Sequence, residues 1–345
     1  MRADDLSSPR RCAARGRAPG AEGVSVRALA GGRPAARAPR PPAKGVALLT
    51  AMLIVALATV TAVAMAARHQ INIHRTANVL GTEQAYQYAL GVEDLALRAL
   101  SVDSGEKGVD GAGDDWARPI GPFDLGEARV GGWVEDLQGR FNVNNLLKDG
   151  EPSTVDVERF DRLLSVLDVS PGVRQALLDW LDPDGEPRSP DGAEDEVYLR
   201  ARPPRRTANG PMVSASELQL VAGVRPEDYE RLAPNVVALP RRTPINLNTA
   251  PAPVLMAIAK DVREGDAKTL VAARGKHPFK TVEEILMNEA FAGLAVSPDG
   301  LSVSSEFFRI HATAESRQGR AELVSLVARA KDEKPVVLMR ERGER

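Results

Sequence analysis

The sequence predicts an α+β chain. One long N-terminal helix packs on a small antiparallel sheet, and a large all-helical segment is inserted between the strands. Three patterns predict this. Residues 46–67 form an uncharged apolar run, and helical periodicity continues from it towards Leu100. Strand-like stretches appear at 129–143 and again in the last 45 residues. Between them the apolar spacing is helical and helix-start signals recur.

The apolar run Val46–Ala67 is 22 residues long, and threonine alone (Thr50, Thr59, Thr61) interrupts its aliphatic character. About 20 such residues in a helix cross the hydrocarbon core of a bilayer. Residues 1–45 hold ten Lys/Arg against three Asp/Glu, whereas the remainder holds 35 against 44. Positive charge is retained on the cytoplasmic side. The expected topology is therefore a single pass with a cytoplasmic N-terminus and the body outside, which in a Gram-negative cell means an inner-membrane anchor and a periplasmic body. On this reading the chain divides into a basic disordered leader (1–45), a transmembrane helix (46–67) and a helix extension with the first strands (68–146). A helical insert (147–295) with an acidic loop (179–196) follows, and then the returning strands (296–345).

Composition narrows the chemistry. Aromatic residues make up 4% of the chain, so Ala, Val and Leu must build the cores. The one cysteine, Cys12, lies in the leader, which leaves the body without disulfides, a zinc-thiolate site or a cysteine nucleophile. An acidic body also lacks the basic footprint of a general nucleic-acid binder.

The run is too long for the core of an ordinary signal peptide, and Ala64-Met65-Ala66 is a weak cleavage site. Its inner boundary is more informative. Lys44-Gly45 directly precedes Val46-Ala47-Leu48-Leu49-Thr50, and this resembles the processing site of type IV pilin-like proteins, which are cut after the glycine. Glycine suits such a cut because its backbone extends without a side-chain clash. A plain signal anchor with an incidental glycine is the alternative. The leader is longer than those of pilin-like chains.

Beyond Arg68, Ala85, Tyr88, Val92, Leu95 and Ala99 recur at spacings of three and four, marking one apolar stripe. The helix is expected to break at Asp103-Ser104-Gly105. Strand candidates are 129–137, 139–143, 308–314, 324–328 and 336–339, with a turn at 316–319. His311 falls on the polar side of its strand, where a surface role outweighs a catalytic one.

Within the insert, Ser170-Pro171 offers a cap before Val173–Leu181. Ser214-Ala215-Ser216-Glu217 and Thr281-Val282-Glu283-Glu284 read as capping boxes. Two phrases echo each other: Phe141-Asn142-Val143-Asn144-Asn145-Leu146 and Ile245-Asn246-Leu247-Asn248-Thr249-Ala250. They point either to a duplicated helical unit or to coincidence.

Residues 179–196 carry eight carboxylates in a Pro/Gly-rich loop. Oxygen donors at irregular spacing on a flexible backbone suit Ca²⁺, which takes 6–8 oxygens in varied geometry. The loop is not an EF-hand, because Pro187 and Ala193 stand where that motif needs glycine and glutamate. A solvated acidic surface loop is the alternative. Anchoring by Trp180 and Tyr198, and the mutual repulsion of so many carboxylates, favour a bound cation. A glycosidase-like carboxylate pair finds no accompanying aromatic cleft.

Taken in order, these motifs resemble the type II secretion minor pseudopilin K family, also called general secretion pathway protein K. Lys44-Gly45 before Val46–Thr50 carries the resemblance, with Asp136-Leu137-Gln138-Gly139-Arg140-Phe141-Asn142-Val143-Asn144-Asn145-Leu146. Asp179-Trp180-Leu181-Asp182, Gly192-Ala193-Glu194-Asp195 and Thr243-Pro244-Ile245-Asn246-Leu247-Asn248-Thr249-Ala250 complete it. The resemblance runs from about residue 43 to 330; the leader does not match. It implies a pilin-like body with an all-helical insert, cleavage by prepilin peptidase between Gly45 and Val46, and N-methylation of Val46. It further implies no catalysis, a place at the pseudopilus tip, and assistance to export of folded proteins across the outer membrane. The implied partners are minor pseudopilins of the I and J types, the major pseudopilin, secreted cargo and the outer-membrane secretin. Ordinary pilins carry glutamate at the fifth mature position, and here Thr50 stands there, as this family's departure implies. Ca²⁺ at the acidic loop is implied as well, with ligands among Asp179, Asp182, Asp184, Asp191, Glu194 and Asp195.

A rival reading comes from Ile245–Ala250 with His277-Pro278-Phe279-Lys280-Thr281, which resembles the helix-hairpin-helix domain of membrane-anchored DNA-uptake receptors. That module grips phosphate with backbone N–H groups of a glycine hairpin. Here Lys260-Asp261-Val262-Arg263-Glu264-Gly265 occupies the hairpin and lacks a Gly-x-Gly turn, so no nucleic acid is expected as a partner.

Overall fold

The computed structural model describes residues 45–103, 108–275, 277–330 and 333–343. The leader read as disordered, with Cys12, lies outside the described residues apart from Gly45. The chain divides into two compact units, one ending at Met65 and the other beginning at Ala66.

A single helix, α1 (Val46–Asp103), begins at the uncharged run and ends at the start of the expected break Asp103-Ser104-Gly105. An 18-residue window in it reaches a mean hydropathy of 2.5, long and apolar enough to cross a membrane. In the first unit the apolar side chains from Val46 to Met65 are exposed. The three threonines of the run return their hydroxyls to the helix: Thr50 donates to Ala47 O at 3.0 Å, Thr59 to Val55 O at 2.6 Å and Thr61 to Ala58 O at 2.9 Å. Such bonding lets a hydroxyl enter a medium that offers no other partner.

In the second unit α1 packs on a five-stranded antiparallel sheet of order β1-β2-β9-β10-β11. Its strands are β1 (Ile120–Leu125), β2 (Ala128–Asp136), β9 (Phe307–Ser316), β10 (Arg320–Ala328) and β11 (Val336–Gly343). The six intervening strands are two-residue pieces of the insert: β3 (Phe141–Asn142), β4 (Leu147–Lys148), β5 (Glu151–Pro152), β6 (Val236–Val237), β7 (Ile245–Asn246) and β8 (Leu301–Ser302). The expected strand 139–143 therefore shrinks to β3, because Val143–Leu146 turns into a 3₁₀ helix capped by Asn142.

The buried stripe of α1 is Ala85, Ala89, Val92, Ala96 and Leu100. It corrects the sequence expectation at three places: Leu95 is 49% exposed, and Tyr88 and Ala99 are half-buried. Two apolar rows lie side by side on this helix, and the sheet takes the one with smaller side chains because small residues let the backbone approach closely. Gly81 shows the same closeness, since a Cβ there would stand 2.5 Å from the Gln318 backbone in the β9–β10 turn.

One charge enters this interface. Glu93 is 2% exposed and accepts from Arg340 of β11 at 2.7 and 2.9 Å and from the Ser325 hydroxyl at 2.7 Å. Burial alone would raise its carboxyl, but Arg340 and Ser325 outweigh that and hold it below the usual range. The C-terminal edge strand is thereby pinned to α1.

The chain leaves the sheet at Asp136 and returns at Phe307, and the segment between them forms one hydrophobic core around Phe141, Phe160, Leu163, Leu255, Leu270 and Phe291. Its helices are α2 (Thr154–Val166), α3 (Val173–Leu181), α4 (Asp195–Tyr198), α5 (Pro226–Leu232), α6 (Ala252–Ile258), α7 (Glu264–Arg274) and α8 (Val282–Leu286). Helix α3 starts where expected, though Ser170 contributes its carbonyl to Val173 N rather than a hydroxyl cap.

The echo in the sequence is a duplication in space. Asn142 and Asn246 each accept from the backbone N–H two residues on, at 3.1 and 3.0 Å. Asn144 grips both backbone groups of Met212, and Asn248 grips both of Phe279, in all four cases at 2.9–3.0 Å. Two residues after each gripped residue a hydroxyl caps the next helical turn: Ser214 in the first copy, Thr281 in the second. The hairpins α2–α3 and α6–α7 both turn through an aspartate at positive φ, Asp168 (53°) and Asp261 (69°), followed by a buried valine. Each copy opens on a strand that pairs in parallel with the strand closing it, β3 with β6 and β7 with β8.

The second copy is joined to the sheet by a buried polar knot. Asp136 Oδ2, at the end of β2, accepts from Asn246 (3.0 Å), Thr249 (2.5 Å) and Ser305 (2.7 Å). Arg329 at the end of β10 pairs with Asp110 at 2.5 Å and donates to Ser305 O at 3.0 Å. Gln138 reaches Pro244 O with its amide N–H and accepts from Glu306 N and Phe307 N. The run Asp136-Leu137-Gln138 is therefore the joint between body and insert.

Candidate metal site

The acidic loop hangs from the C-terminus of α3 and closes at α4, over the buried edge-to-face pair Trp180–Tyr198. Asp179, fully buried on α3, shapes it. Its Oδ2 accepts from Ala193 N at 2.7 Å and Arg188 N at 3.1 Å, drawing the two ends of 188–193 onto one carboxylate. Gly192 is required there, because a Cβ would stand 2.3 Å from both Arg188 backbone atoms and from Asp179 Oδ2.

Next to this pin, one oxygen from each of Asp182, Asp184 and Glu194 falls within 4.8 Å of the others. Oxygens bound to one Ca²⁺ at 2.3–2.6 Å are at most about 5 Å apart, so the three suit a single ion. Asp182 caps α3 and is fully buried: its Oδ2 pairs with Arg188 at 2.6 Å, and its Oδ1 has no partner. Glu194 precedes α4 at 5% exposure: its Oε2 accepts from Thr207 Oγ1 at 3.0 Å, and its Oε1 has no partner. Asp184 is exposed, and its Oδ1 accepts from Glu186 N at 2.9 Å.

Buried carboxylate oxygens without donors are costly unless something positive meets them. Burial pushes the Glu194 carboxyl up, and the charges of Asp179, Asp182 and Asp184 add to it against the Thr207 hydroxyl. Asp182 is likewise raised by burial and by Asp184, with Arg188 opposing. Asp179 is raised by burial and by Asp182, against the two backbone N–H groups. The donor set is all-oxygen, dry on two sides and short of positive charge, which fits a hard divalent cation.

Of the six residues singled out in the sequence, Asp182, Asp184 and Glu194 converge and Asp179 supports them. Asp191 is exposed and lies against Gly172. Asp195 is engaged elsewhere, accepting from Arg206 at 2.8 Å and from Thr207 N at 3.1 Å. Arg188 and Thr207 were missed. Neither residue carries a carboxylate, so a search for clustered acids passes over both, and Thr207 lies beyond the acidic run in a stretch of arginines.

At the N-terminal end, Gly45 is exposed at a positive φ of 139° that favours glycine, and its carbonyl accepts from Leu49 N at 3.1 Å, so helical bonding begins at the expected cleavage site. The hairpin of the rival reading places Asp261, Glu264 and Asp266 around its turn, with the Asp266 carboxylate already accepting from Arg263 N at 3.2 Å. Carboxylates stand where a phosphate grip needs free N–H groups.

The family model described as type II secretion system protein K matches residues 139–241 and 245–304, two segments that meet between the two copies. The chain is 37% identical over 313 residues to type II secretion system protein K of Pseudomonas aeruginosa, covering 87% of this chain and 93% of that protein. It is 35% identical to the Aeromonas hydrophila protein of the same name, covering 87% and 97%. Among solved structures, a chain from the crystal structure of the GspK–GspI–GspJ complex of the enterotoxigenic Escherichia coli type 2 secretion system is similar. Its TM-score is 0.65 and its identity 27%, covering 76% of this chain and 97% of that one.

Proposed function

This chain belongs to the type II secretion system protein K family, and we propose that it sits at the pseudopilus tip, where it starts or caps assembly and assists export of folded proteins. One observation carries the reading: the chain combines a helix able to anchor it in the membrane with a bulky helical head, which in this proposal is not stacked under another subunit. The head is the whole segment between Asp136 and Phe307, spliced into a five-stranded sheet. Thr50 supports the same placement. A threonine has no carboxylate to offer a neighbour's N-terminal amine, and its hydroxyl is spent on Ala47 O.

In this proposal prepilin peptidase cuts between Gly45 and Val46, and Val46 is N-methylated. The helix then packs beside those of I- and J-type minor pseudopilins and the major pseudopilin as the subunits leave the inner membrane. The N-terminus is cytoplasmic and the head periplasmic, free to meet cargo and the outer-membrane secretin. Ca²⁺ is the proposed ion of the acidic loop, held by Asp182, Asp184 and Glu194; when bound it supplies the charge that offsets their repulsion.

The test is to isolate the full-length chain from membranes in detergent. Co-isolation of I- and J-type partners and an N-terminus at Val46 are expected. An N-terminus beyond residue 67, or a chain isolated without those partners, would overturn the proposal.

A further inference from the structure

Thr207 lies 13 residues beyond Glu194, on the far side of the arginine-rich segment 200–206, yet its hydroxyl returns to Glu194 Oε2 at 3.0 Å. Its backbone N–H donates to Asp195 Oδ1 at 3.1 Å, which anchors the residue independently of the hydroxyl. The same hydroxyl lies 3.1 Å from Asp195 Oδ1, but it has one proton to give, and Asp195 is already served by that N–H and by Arg206. Among the described residues Glu194 has no other donor on either oxygen.

From this geometry we infer that Thr207 is a positioning residue of the cation site: by holding Oε2 of Glu194 it turns Oε1 towards Asp182 and Asp184. The inference rests on the calcium reading above. A glutamate has three side-chain torsions, so an unheld Glu194 would spread its carboxylate over several rotamers and lose the common point. Partners that orient a ligand in this way are worth tenfold to a hundredfold in metal affinity when removed.

Thr207→Val keeps the shape and the backbone N–H and removes the hydroxyl alone. Thr207→Ser keeps the hydroxyl. Full-length protein in detergent, first treated with chelator, is titrated with CaCl₂ by calorimetry, and its melting temperature is followed in parallel. Thr207→Val is expected to weaken binding by about tenfold to a hundredfold, and Thr207→Ser to stay within about threefold of wild type. Wild-type affinity in Thr207→Val, with metal-free melting also unchanged, would overturn the positioning role. So would loss of affinity in both variants alike, which would make Thr207 a packing residue. If wild-type protein itself gives neither heat nor a melting shift, the calcium reading fails, and that failure is distinct from the others.

Discussion

The two copies of the helical unit share their framework and differ most in one splice. In both, an asparagine grips the backbone of a distant residue, an aspartate turns the helical hairpin, and a hydroxyl caps the following turn. In the second copy the chain passes from the end of α7 at Arg274 almost directly to the gripped Phe279. In the first it leaves α3 at Leu181 and reaches the gripped Met212 only after the acidic loop, α4 and the arginine-rich stretch. A scaffold that already holds its own ends together can carry a long excursion at low cost, because loop closure grows slowly with length. The excursion carries the candidate chemistry, and the plain copy carries the joint to the sheet.

The comparison can be broken first at the grips. Asn144→Ala strips partners from three backbone groups, both of Met212 and the Leu239 carbonyl, and Asn248→Ala from the two of Phe279, at about 1–3 kcal/mol per group where the group stays dry. Both should lower the thermal midpoint of the whole head, and the fully enclosed Asn248 should cost more than half-buried Asn144. A loss in one copy alone would mean that the two grips are not equivalent.

Glycines give the next contrast. Gly192→Ala forces a Cβ into the Arg188 backbone, costing about 1–3 kcal/mol and opening the acidic loop. Gly265→Ala in the other copy meets nothing within 4 Å and should stabilise α7 by up to about 1 kcal/mol. Hydrogen exchange across 182–194 separates the two outcomes.

Calcium at a hundredfold excess over its dissociation constant should add about 2.7 kcal/mol of stability. The added protection should fall on 179–207 and leave 252–302 unchanged. Glu194→Gln with Asp182→Asn should abolish it, and equal protection of both copies would argue for a non-specific effect of the salt.

The smallest effects are in the pH dependence of two buried carboxylates, Glu93 between α1 and the edge strand and Asp136 at the joint with the head. Glu93 titrates below its ordinary 4.5, so its stabilisation is full above that value and is lost as pH falls through the lower folded one. Asp136 is raised above 3.8 by burial, with Thr249, Ser305 and Gln138 opposing, so the fold holds its proton more tightly than the unfolded chain does. Its contribution therefore declines as pH rises from 3.8 towards the raised value. Glu93→Gln should flatten the acid limb of a melting-temperature profile and Asp136→Asn the opposite slope; identical profiles would contradict both signs.

Much of this was legible residue by residue. The strands at 307–316 and 320–328 follow from alternation, and the span from an unbroken apolar run, because both patterns are local. The capping hydroxyls Ser214 and Thr281 were readable for the same reason. On α1 Ala85 and Val92 were placed correctly, while Ala89, Ala96 and Leu100 take the buried positions expected of Tyr88, Leu95 and Ala99. Neighbouring stripes were both apolar, and contact with the sheet decided between them. In the loop, eight carboxylates were visible but their directions were not, since a side chain's aim depends on what holds its other oxygen.

By itself, then, the sequence determined the long apolar helix, the alternating strands, the helical insert and its internal echo, since each is written in spacings of a few residues. Tertiary structure alone decided which three carboxylates converge, that Asp179 pins rather than joins them, and that Thr207 aims one of them. It also decided that Asp136, Asn246 and Ser305 meet at the joint. Those contacts reach as far as the 169 positions between Asp136 and Ser305. No short-range pattern encodes them, because their geometry is set by the packed core that lies between.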